Sequence, residues 1–412
     1  MEKNSKASAM ELSQVGTYLR IGTALYKINT RPTADGGTIK KLVPWRFGTL
    51  SQDYGKDFML SVPRYDGFCT VPSHIDYKRN VNNFYNLYEP IYHEPKEGAC
   101  PHILSLVEHI FGEQRELGLD YLTLLYLHPV EKLPILVLVS EERNTGKTTF
   151  LNFLKAIFGE NLTFNTNEDF RSQFNSDWAG KLLITIDEAL LSRREDSERL
   201  KNLSTAKIYK MEAKGKDRQE VEFFGKFILC SNNELCPIVI DPGETRYWVR
   251  KVCPLEHDDT DFLSKLKAEI PAFLWLLQHR SLSASKEGRM WFAPALLRTR
   301  ALERVIAYGR DNTEHELAEM LLEIMQTAGL SELSFCMRDL SLWMEHYGIK
   351  ADKSKVRRTL NDTWDLPHVG NALTYDTVEI ERKSAQQFSI KRHIGRYYTI
   401  SGAMLLGLIE GK

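Results

Sequence analysis

Much of what usually marks a protein's class is missing from this chain. Its six cysteines (Cys69, Cys100, Cys230, Cys236, Cys253 and Cys336) are scattered, with no C-x-x-C pair and no histidine at ligand spacing. That speaks against a zinc site and for reduced thiols in a cytosolic chain. The eleven histidines form no H-E-x-x-H pattern. No apolar run is long enough to span a bilayer, and the opening MEKNSKASAMELSQ is too polar for a signal peptide. These features point to the cytoplasm. Net charge is nearly absent: 54 Lys and Arg against 55 Asp and Glu leave −1. No global field draws such a protein to nucleic acid, so any contact of that kind must come from local basic clusters. Internal repeats and low-complexity tracts are absent too.

What remains is ordinary globular composition, 42% hydrophobic and 26% charged over 412 residues. That length accommodates about two or three domains. The most informative stretch is Ile135 to Phe150, ILVLVSEERNTGKTTF. Five apolar residues predict a buried strand. A polar turn ends in Asn144, Thr145, Gly146, Lys147, Thr148 and Thr149. An amphipathic helix then opens at Phe150, with Leu151, Phe153, Leu154, Ile157 and Phe158 at helical spacing. Strand, Gly-Lys-Thr loop and helix are the context a phosphate-binding loop requires: backbone N–H groups face the phosphates, Lys147 adds a point charge, and the Thr148 hydroxyl suits Mg²⁺. One position departs from G-x-x-x-x-G-K-[ST]: Glu141 stands where the first glycine belongs. That glycine permits a tight turn but supplies no side-chain chemistry. Binding is therefore expected to survive, with turnover the open question.

Around this motif the chain alternates strands and helices, which argues for a mostly parallel sheet covered on both faces. Residues 1–100 mix short β-like runs, among them Phe58–Val62, with aromatics and turn formers. Residues 82–98 read as an irregular connector whose aromatics (Phe84, Tyr85, Tyr88, Tyr92) are packing residues. Helical pattern fills 102–127, ending at Pro129 and Pro134. Further strands are expected at 182–186 and 226–230, a helix broken at Pro271 over 262–280, and another helix over 315–328. Helices at 338–347 and 353–362, then strands at 375–380 and 397–400, complete the reading. The segments fall as an N-terminal α+β region (1–100), a nucleotide-binding core with helical lead-in (101–260), a helical segment (261–330) and a C-terminal domain (331–412).

Three further motifs bear on chemistry. The strand LLITI ends in Asp187 and Glu188, 187 − 147 = 40 positions after the loop lysine. Two carboxylates at the C-terminal edge of a strand beside a phosphate loop suit Mg²⁺ (Asp187) and activation of an attacking water (Glu188). The strand KFILC runs into Ser231, Asn232 and Asn233. An amide there either hydrogen-bonds a γ-phosphate or simply forms the turn. In ETRYWVR, Arg246 precedes an apolar strand, where a guanidinium suits either the surface or a neighbouring subunit's γ-phosphate.

The ordered set NTGKTT, LLITIDE, KFILCSN and ETRYWV resembles the superfamily 3 helicases, AAA+ proteins of viral and plasmid replication. It is most similar to phage and mobile-element primase-helicases, including the helicase part of phage primase-polymerases. FCTVPSHIDY (68–77), FNSDW (174–178), EIPAFLWLL (269–277) and RMWF (289–292) extend the likeness over Trp45 to Thr299, with 135–252 as its specific part. The resemblance implies an AAA+/RecA-like P-loop core and an ATP-hydrolysing DNA helicase or translocase. Lys147 and Thr148 then match the Walker A ligands of ATP and Mg²⁺, Asp187 and Glu188 the Walker B pair, Asn232 the motif C sensor. Arg246 matches the arginine finger, with Arg250 in reserve. Lys214, Lys216 and Arg218 match a hairpin tip that touches DNA in the channel of a homo-oligomeric ring, a hexamer, on single-stranded or fork DNA. The setting implied is the cytoplasm of a bacterial host. No catalytic carboxylate constellation is recognisable in 1–100, so priming chemistry would fall to a primase or polymerase partner.

The C-terminal order of helix, helix and basic hairpin resembles a winged helix. Lys353, Lys355, Arg357 and Arg358 would lie near its recognition helix and Lys391, Arg392 and Arg396 near its wing. A protein-contact role for this domain stays open. Two other readings stay open as well. One is a nucleotide-binding scaffold of a replication complex with weak turnover, which Glu141 favours. The other is a small-molecule kinase or GTPase, which lacks an N-K-x-D motif and leaves Asn232 and Arg246 without a role.

Overall fold

The computed structural model describes residues 17–410 apart from 33, 35–37, 192, 213, 216, 256–258, 350 and 381–387. The chain is mixed α/β and forms two compact units. The first comprises residues up to Ala189, Leu200–Asn232 and Arg246–Leu297; the second comprises Leu190–Arg199, Asn233–Thr245 and residues from Arg298 onward.

The first unit is built on five parallel strands: β1 (Ile135–Val139), β2 (Leu162–Asn165), β3 (Leu183–Ile186), β4 (Lys226–Ser231) and β5 (Tyr247–Lys251). Their order is β5-β1-β4-β3-β2, and every pairing is parallel. Parallel strands need crossovers, which cover both faces, so the strands are buried and read as continuous apolar runs. Every residue of β1, β3 and β4 is buried. Leu136, Leu138, Ile228, Cys230 and Trp248 share one core with the helices α1 (Pro101–Phe111), α2 (Arg115–Leu127), α3 (Lys147–Phe158) and α4 (Phe262–His279). Alternation sends Phe227 the other way, into edge contact with Phe170, ring centroids 6.0 Å apart.

Helix α4 is continuous through Pro271, where the sequence pattern predicts a break. Proline removes one helical hydrogen bond. Here the apolar stripe Leu266, Ile270, Phe273, Leu274 and Leu277 is buried and carries the helix across. The Pro271 carbonyl is used by Lys96, whose N–H donates to it at 3.0 Å. A second correction concerns Phe58–Val62. The expected strand is instead a helical turn, Phe58–Ser61, in which Phe58 stacks on Tyr54 (4.7 Å, 24°) while Leu60 faces solvent. So short an apolar run does not require a period of two.

Ahead of the core, strands Tyr18–Ile21, Ala24–Pro32, Thr38–Trp45 and Arg64–Tyr65 make a four-stranded sheet. Gly67–Cys69, Asn80–Val81 and Phe84–Asn86 make a three-stranded one, so part of the expected irregular connector is strand. Tyr85 and Tyr88 are buried as packing residues, whereas Phe84 and Tyr92 are exposed.

The second unit has its own core, including Leu317, Leu321, Phe335, Leu340, Trp343, Leu360 and Ile400. Its elements are helix Arg300–Ala328, strand Glu332–Phe335 paired antiparallel with Tyr398–Ser401, helix Met337–Tyr347, and helix Lys353–Arg358 passing into a π-helical turn Thr359–Thr363. The hairpin Leu373–Ile380/Phe388–Gly395 and helix Gly402–Glu410 follow. Lys391 and Arg392 are tied across the hairpin to Glu379 and Asp376. Lys353, Arg357 and Arg358 are exposed, while Lys355 is half-buried, and burial pushes its ammonium down from the ordinary lysine range. Among the described residues no helix is long and apolar enough to cross a membrane.

The most demanding polar feature of the first unit is Asp120, fully buried in α2. It pairs with Arg280 at 2.5 Å and accepts from the Ser283 N–H and hydroxyl and the Ala284 N–H, pinning the segment after α4. Breaking a buried pair from one side strands the other charge. Asp120→Ala is expected to lower unfolding free energy by roughly 3 kcal/mol in urea denaturation.

Candidate functional site

The loop after β1 turns through two left-handed residues, Asn144 (φ +55°) and Gly146 (φ +77°), before α3 begins at Lys147. Glu141 is exposed and is not among the left-handed residues. The position where the motif has glycine therefore makes no conformational demand here, which is the physical reason a glutamate fits. The loop's carbonyls are held by protein donors or ring nitrogens: Asn144 O by Leu255 N–H (2.9 Å), Thr145 O by His109 Nε2 (3.0 Å), Gly146 O by Phe150 N–H (2.9 Å). Helix α3 has no side-chain N-cap. Its first N–H groups lack intrahelical partners, which leaves them for an anion.

Lys147 is buried, at 6% exposure, and its ammonium donates to Ser140 Oγ and to Asn232 Oδ1, the latter at 3.1 Å. Desolvation holds its pKa below the ordinary lysine range, opposed by the charge of Asp187 and Glu142. Thr148 Oγ1 donates to Asp187 Oδ2 at 2.9 Å, and Asp187 Oδ1 accepts the Glu188 N–H at 3.1 Å. A hydroxyl and a carboxylate side by side are hard oxygen donors of the kind Mg²⁺ takes. Glu188 is exposed and left-handed (φ +57°), a conformation that costs a non-glycine residue about 1 kcal/mol. Asn167 Nδ2 donates to its carbonyl at 3.2 Å.

These residues surround one cavity of about 480 Å³, lined by Arg143, Asn144, Thr145, Gly146, Lys147, Thr148, Thr149, Asp187, Glu188 and Asn232. The two neighbouring asparagines divide the roles the sequence left open. Asn233 Oδ1 accepts from the Leu235 and Cys236 N–H groups and makes the turn; Asn232 reaches Lys147. Sequence reasoning missed Ser140 and His109. Ser140 was marked only by being the first polar residue after an apolar run; nothing local marked His109, on α1.

Arg246 lies elsewhere. It precedes β5, and its carbonyl accepts the N–H of Ile135, the first residue of β1. It sits where the strands begin, a strand's length of roughly 13 Å from the edge bearing the loop, and does not line the cavity. Arg250 is buried and forked onto Glu113 at 2.6 and 3.1 Å, so its guanidinium is held within its own chain. Beside it, Trp248 stacks on Phe111 (5.0 Å, 20°) and donates to Gln114 at 2.7 Å.

Between β3 and β4 the strands Ile208–Met211 and Gln219–Glu222 form an antiparallel hairpin. Lys214 and Gly215 (φ +75°) lie in its turn, and Lys216 is outside the described residues. Arg218 bends back to Glu212 at 2.6 Å. Asn175, from FNSDW, ties the first strand down: Nδ2 donates to Lys210 O (3.0 Å), and Oδ1 accepts from Glu212 N–H (2.7 Å). Trp178 stacks on Tyr209 at 5.7 Å. Among the described residues no cluster of three or more His, Cys, Asp or Glu is arranged to hold a metal.

A Gly-Lys-Thr loop between β1 and α3, on a parallel sheet with acidic and amide strand ends at the same edge, has the architecture of a P-loop-like core. Residues 138–247 match a protein family of unknown function, DUF5906. Among solved structures, the chain is similar to the apo C-terminal region of NrS-1 (residues 305–718): 15% identity, covering 92% of this chain and 94% of that one, TM-score 0.54. The A-form apo structure of that region gives 16% identity, 92% and 95% coverage, and a TM-score of 0.55. No curated protein sequence matches this chain. At such identity the likeness concerns the fold.

Because Glu141 is exposed and unstrained, Glu141→Gly is expected to shift nucleotide affinity by less than about three-fold and to leave the melting temperature nearly unchanged. Isothermal titration calorimetry and a thermal scan check both.

Proposed function

We propose that this protein is an ATP-dependent DNA helicase or translocase of the superfamily 3 type, acting in replication of a phage or mobile element and hydrolysing ATP between subunits of a ring. The observation that carries the reading is the meeting of Lys147, Thr148, Asp187, Glu188 and Asn232 around one cavity. A kinase or GTPase reading explains Lys147 and Asp187 but not an amide that reaches the loop lysine.

In this reading, Asn144 to Thr149 cradle the triphosphate with their N–H groups, and Lys147 exchanges its present acceptors for phosphate oxygens. Thr148 and Asp187 would hold Mg²⁺, which when bound neutralises charge on the phosphates. Glu188 orients and deprotonates the attacking water. Asn232 hydrogen-bonds the γ-phosphate or that water. Arg246, on the far edge of the sheet from its own cavity, acts in trans on the neighbouring subunit's γ-phosphate, where a guanidinium stabilises transition-state charge. The hairpin carrying Lys214, Lys216 and Arg218 tracks the phosphates of one strand, so base identity is not read. Primase or polymerase chemistry belongs to another chain or to a part outside this sequence, and the C-terminal domain is winged-helix-like, contacting DNA or protein.

Single-stranded-DNA-stimulated ATP hydrolysis tests the reading. Lys147→Ala and Glu188→Gln are each expected to reduce it by about a hundred-fold or more. A fully active Lys147→Ala protein overturns the proposal, and ATP binding without turnover in the wild type assigns the scaffold role instead. Mixing Arg246→Ala with Glu188→Gln, each inactive alone, is expected to restore partial turnover, because mixed rings contain some complete sites. No recovery in mixtures shown to co-assemble would place Arg246 outside the reaction.

A further inference from the structure

A second concave site lies in the same unit, away from the phosphate loop. It is a groove of about 540 Å³, walled by the N-terminal sheet on one side and residues 63–92 on the other. Glu160 and Lys181 line its base, and both stand just before the strands they lead into, β2 and β3. The groove thus belongs to the edge where strands begin, whereas the phosphate loop sits where they end. Its volume is in the range of small-ligand sites, but its lining is not that of an apolar pocket.

Three features set its chemistry. First, large flat surface is left uncovered: Tyr92 is 72% and Leu87 47% exposed. Beneath them, Tyr65 and Tyr85 are locked edge to face at 5.3 Å. Second, the carboxylates are already engaged. Glu89 takes both prongs of the Arg79 guanidinium, at 3.0 and 2.6 Å, and Glu160 pairs with Lys155 at 3.5 Å. Third, cations are left over. Lys40 is exposed on the strand Thr38–Trp45, on the sheet face of Leu42 and Ile28, and makes no ion pair among the described residues. Lys181 projects its ammonium onto the Glu160 carbonyl at 2.6 Å. The balance is positive in a chain whose net charge is −1.

We propose that this groove binds single-stranded nucleic acid, with bases lying against Tyr92 and Leu87 and the phosphate backbone on Lys40. Stacking tolerates every base, since each has a π-face, and a flexible lysine follows a backbone without fixing one phosphate. A free nucleotide would instead call for buried donors converging on a single phosphate, and the groove's unengaged cation is exposed. Duplex lacks unstacked bases to offer the tyrosine. The site is separate from the hairpin, and it stands whether or not the protein turns over ATP.

Fluorescence anisotropy of labelled oligo-dT, without nucleotide and over a range of salt, tests this on the full chain. Tyr92→Ala is expected to weaken binding roughly ten-fold, and Tyr92→Phe to bind as wild type. Lys40→Ala is expected to lower the slope of log affinity against log salt by about 0.7, the value for one phosphate that is no longer neutralised. Both positions are exposed, so melting temperatures should match wild type, and any ATP hydrolysis measured without DNA should be unchanged. Wild-type affinity and salt slope in both alanine variants would overturn the proposal, as would a wild-type protein that does not bind oligo-dT. Displacement of the oligonucleotide by dTMP at equal nucleotide concentration would assign the groove to a free nucleotide and overturn it as well.

Discussion

A lysine ammonium taken out of water organises the candidate site. Burying a cation is costly unless oxygen acceptors replace the lost hydration. Lys147 finds them on Ser140 and Asn232, which follow β1 and β4. Those two strands are neighbours only because the sheet order is β5-β1-β4-β3-β2, with Ser231 paired to Val139. The register of the sheet therefore decides whether the lysine is satisfied. Asp187 joins by the same logic: β3 lies beside β4, and its carboxylate reaches the Thr148 hydroxyl on the first turn of α3. Lys147 and Thr148, on the first turn of α3, are thus each held by side chains that follow strands, so this part of the cavity is pre-shaped by packing.

The sheet also separates tasks by edge. Its faces are closed by helices and by the aromatic cluster of Phe170, Trp178, Phe223 and Phe227, which leaves only the two strand ends for polar chemistry. The carboxyl ends carry the phosphate loop, Asp187, Glu188 and Asn232. The amino ends carry Arg246 at β5 and the cationic aromatic groove near β2 and β3. Under the proposed function, a residue acting on a neighbouring copy and a surface taking a strand would both belong on the edge opposite the phosphate loop.

Where local pattern carries the physics, the residues alone were enough. The runs at 135–139, 182–186 and 226–230 read as buried strands because a parallel sheet leaves no polar face to interrupt them, and the strands formed match them to within one residue at an end. The hairpin turn at Lys214 and Gly215 was expected from the resemblance, and strands Ile208–Met211 and Gln219–Glu222 flank it. Local pattern misled where packing overrode it. Pro271 is tolerated because five buried residues hold α4 on either side, and Phe58–Val62 curls into a helical turn because Phe58 finds Tyr54. Glu141 looked like damage to a motif; its ordinary backbone and exposure make it a surface residue.

By itself the sequence determined the strand–loop–helix unit, the order of its four motifs and the residue types at each strand end, because all of these rest on contacts within a few positions. Tertiary structure alone decided who meets whom. It brought Asn232, 85 positions from Lys147, onto that ammonium. It placed His109 under the Thr145 carbonyl, withdrew Arg250 into a fork on Glu113, and made Asn175 the clamp of the hairpin. It also gathered Lys40, Tyr65 and Tyr92 from separate segments into one groove. The reason is common to all of them: sheet order and helix crossover set these distances, and neither is written in the spacing of residues along the chain.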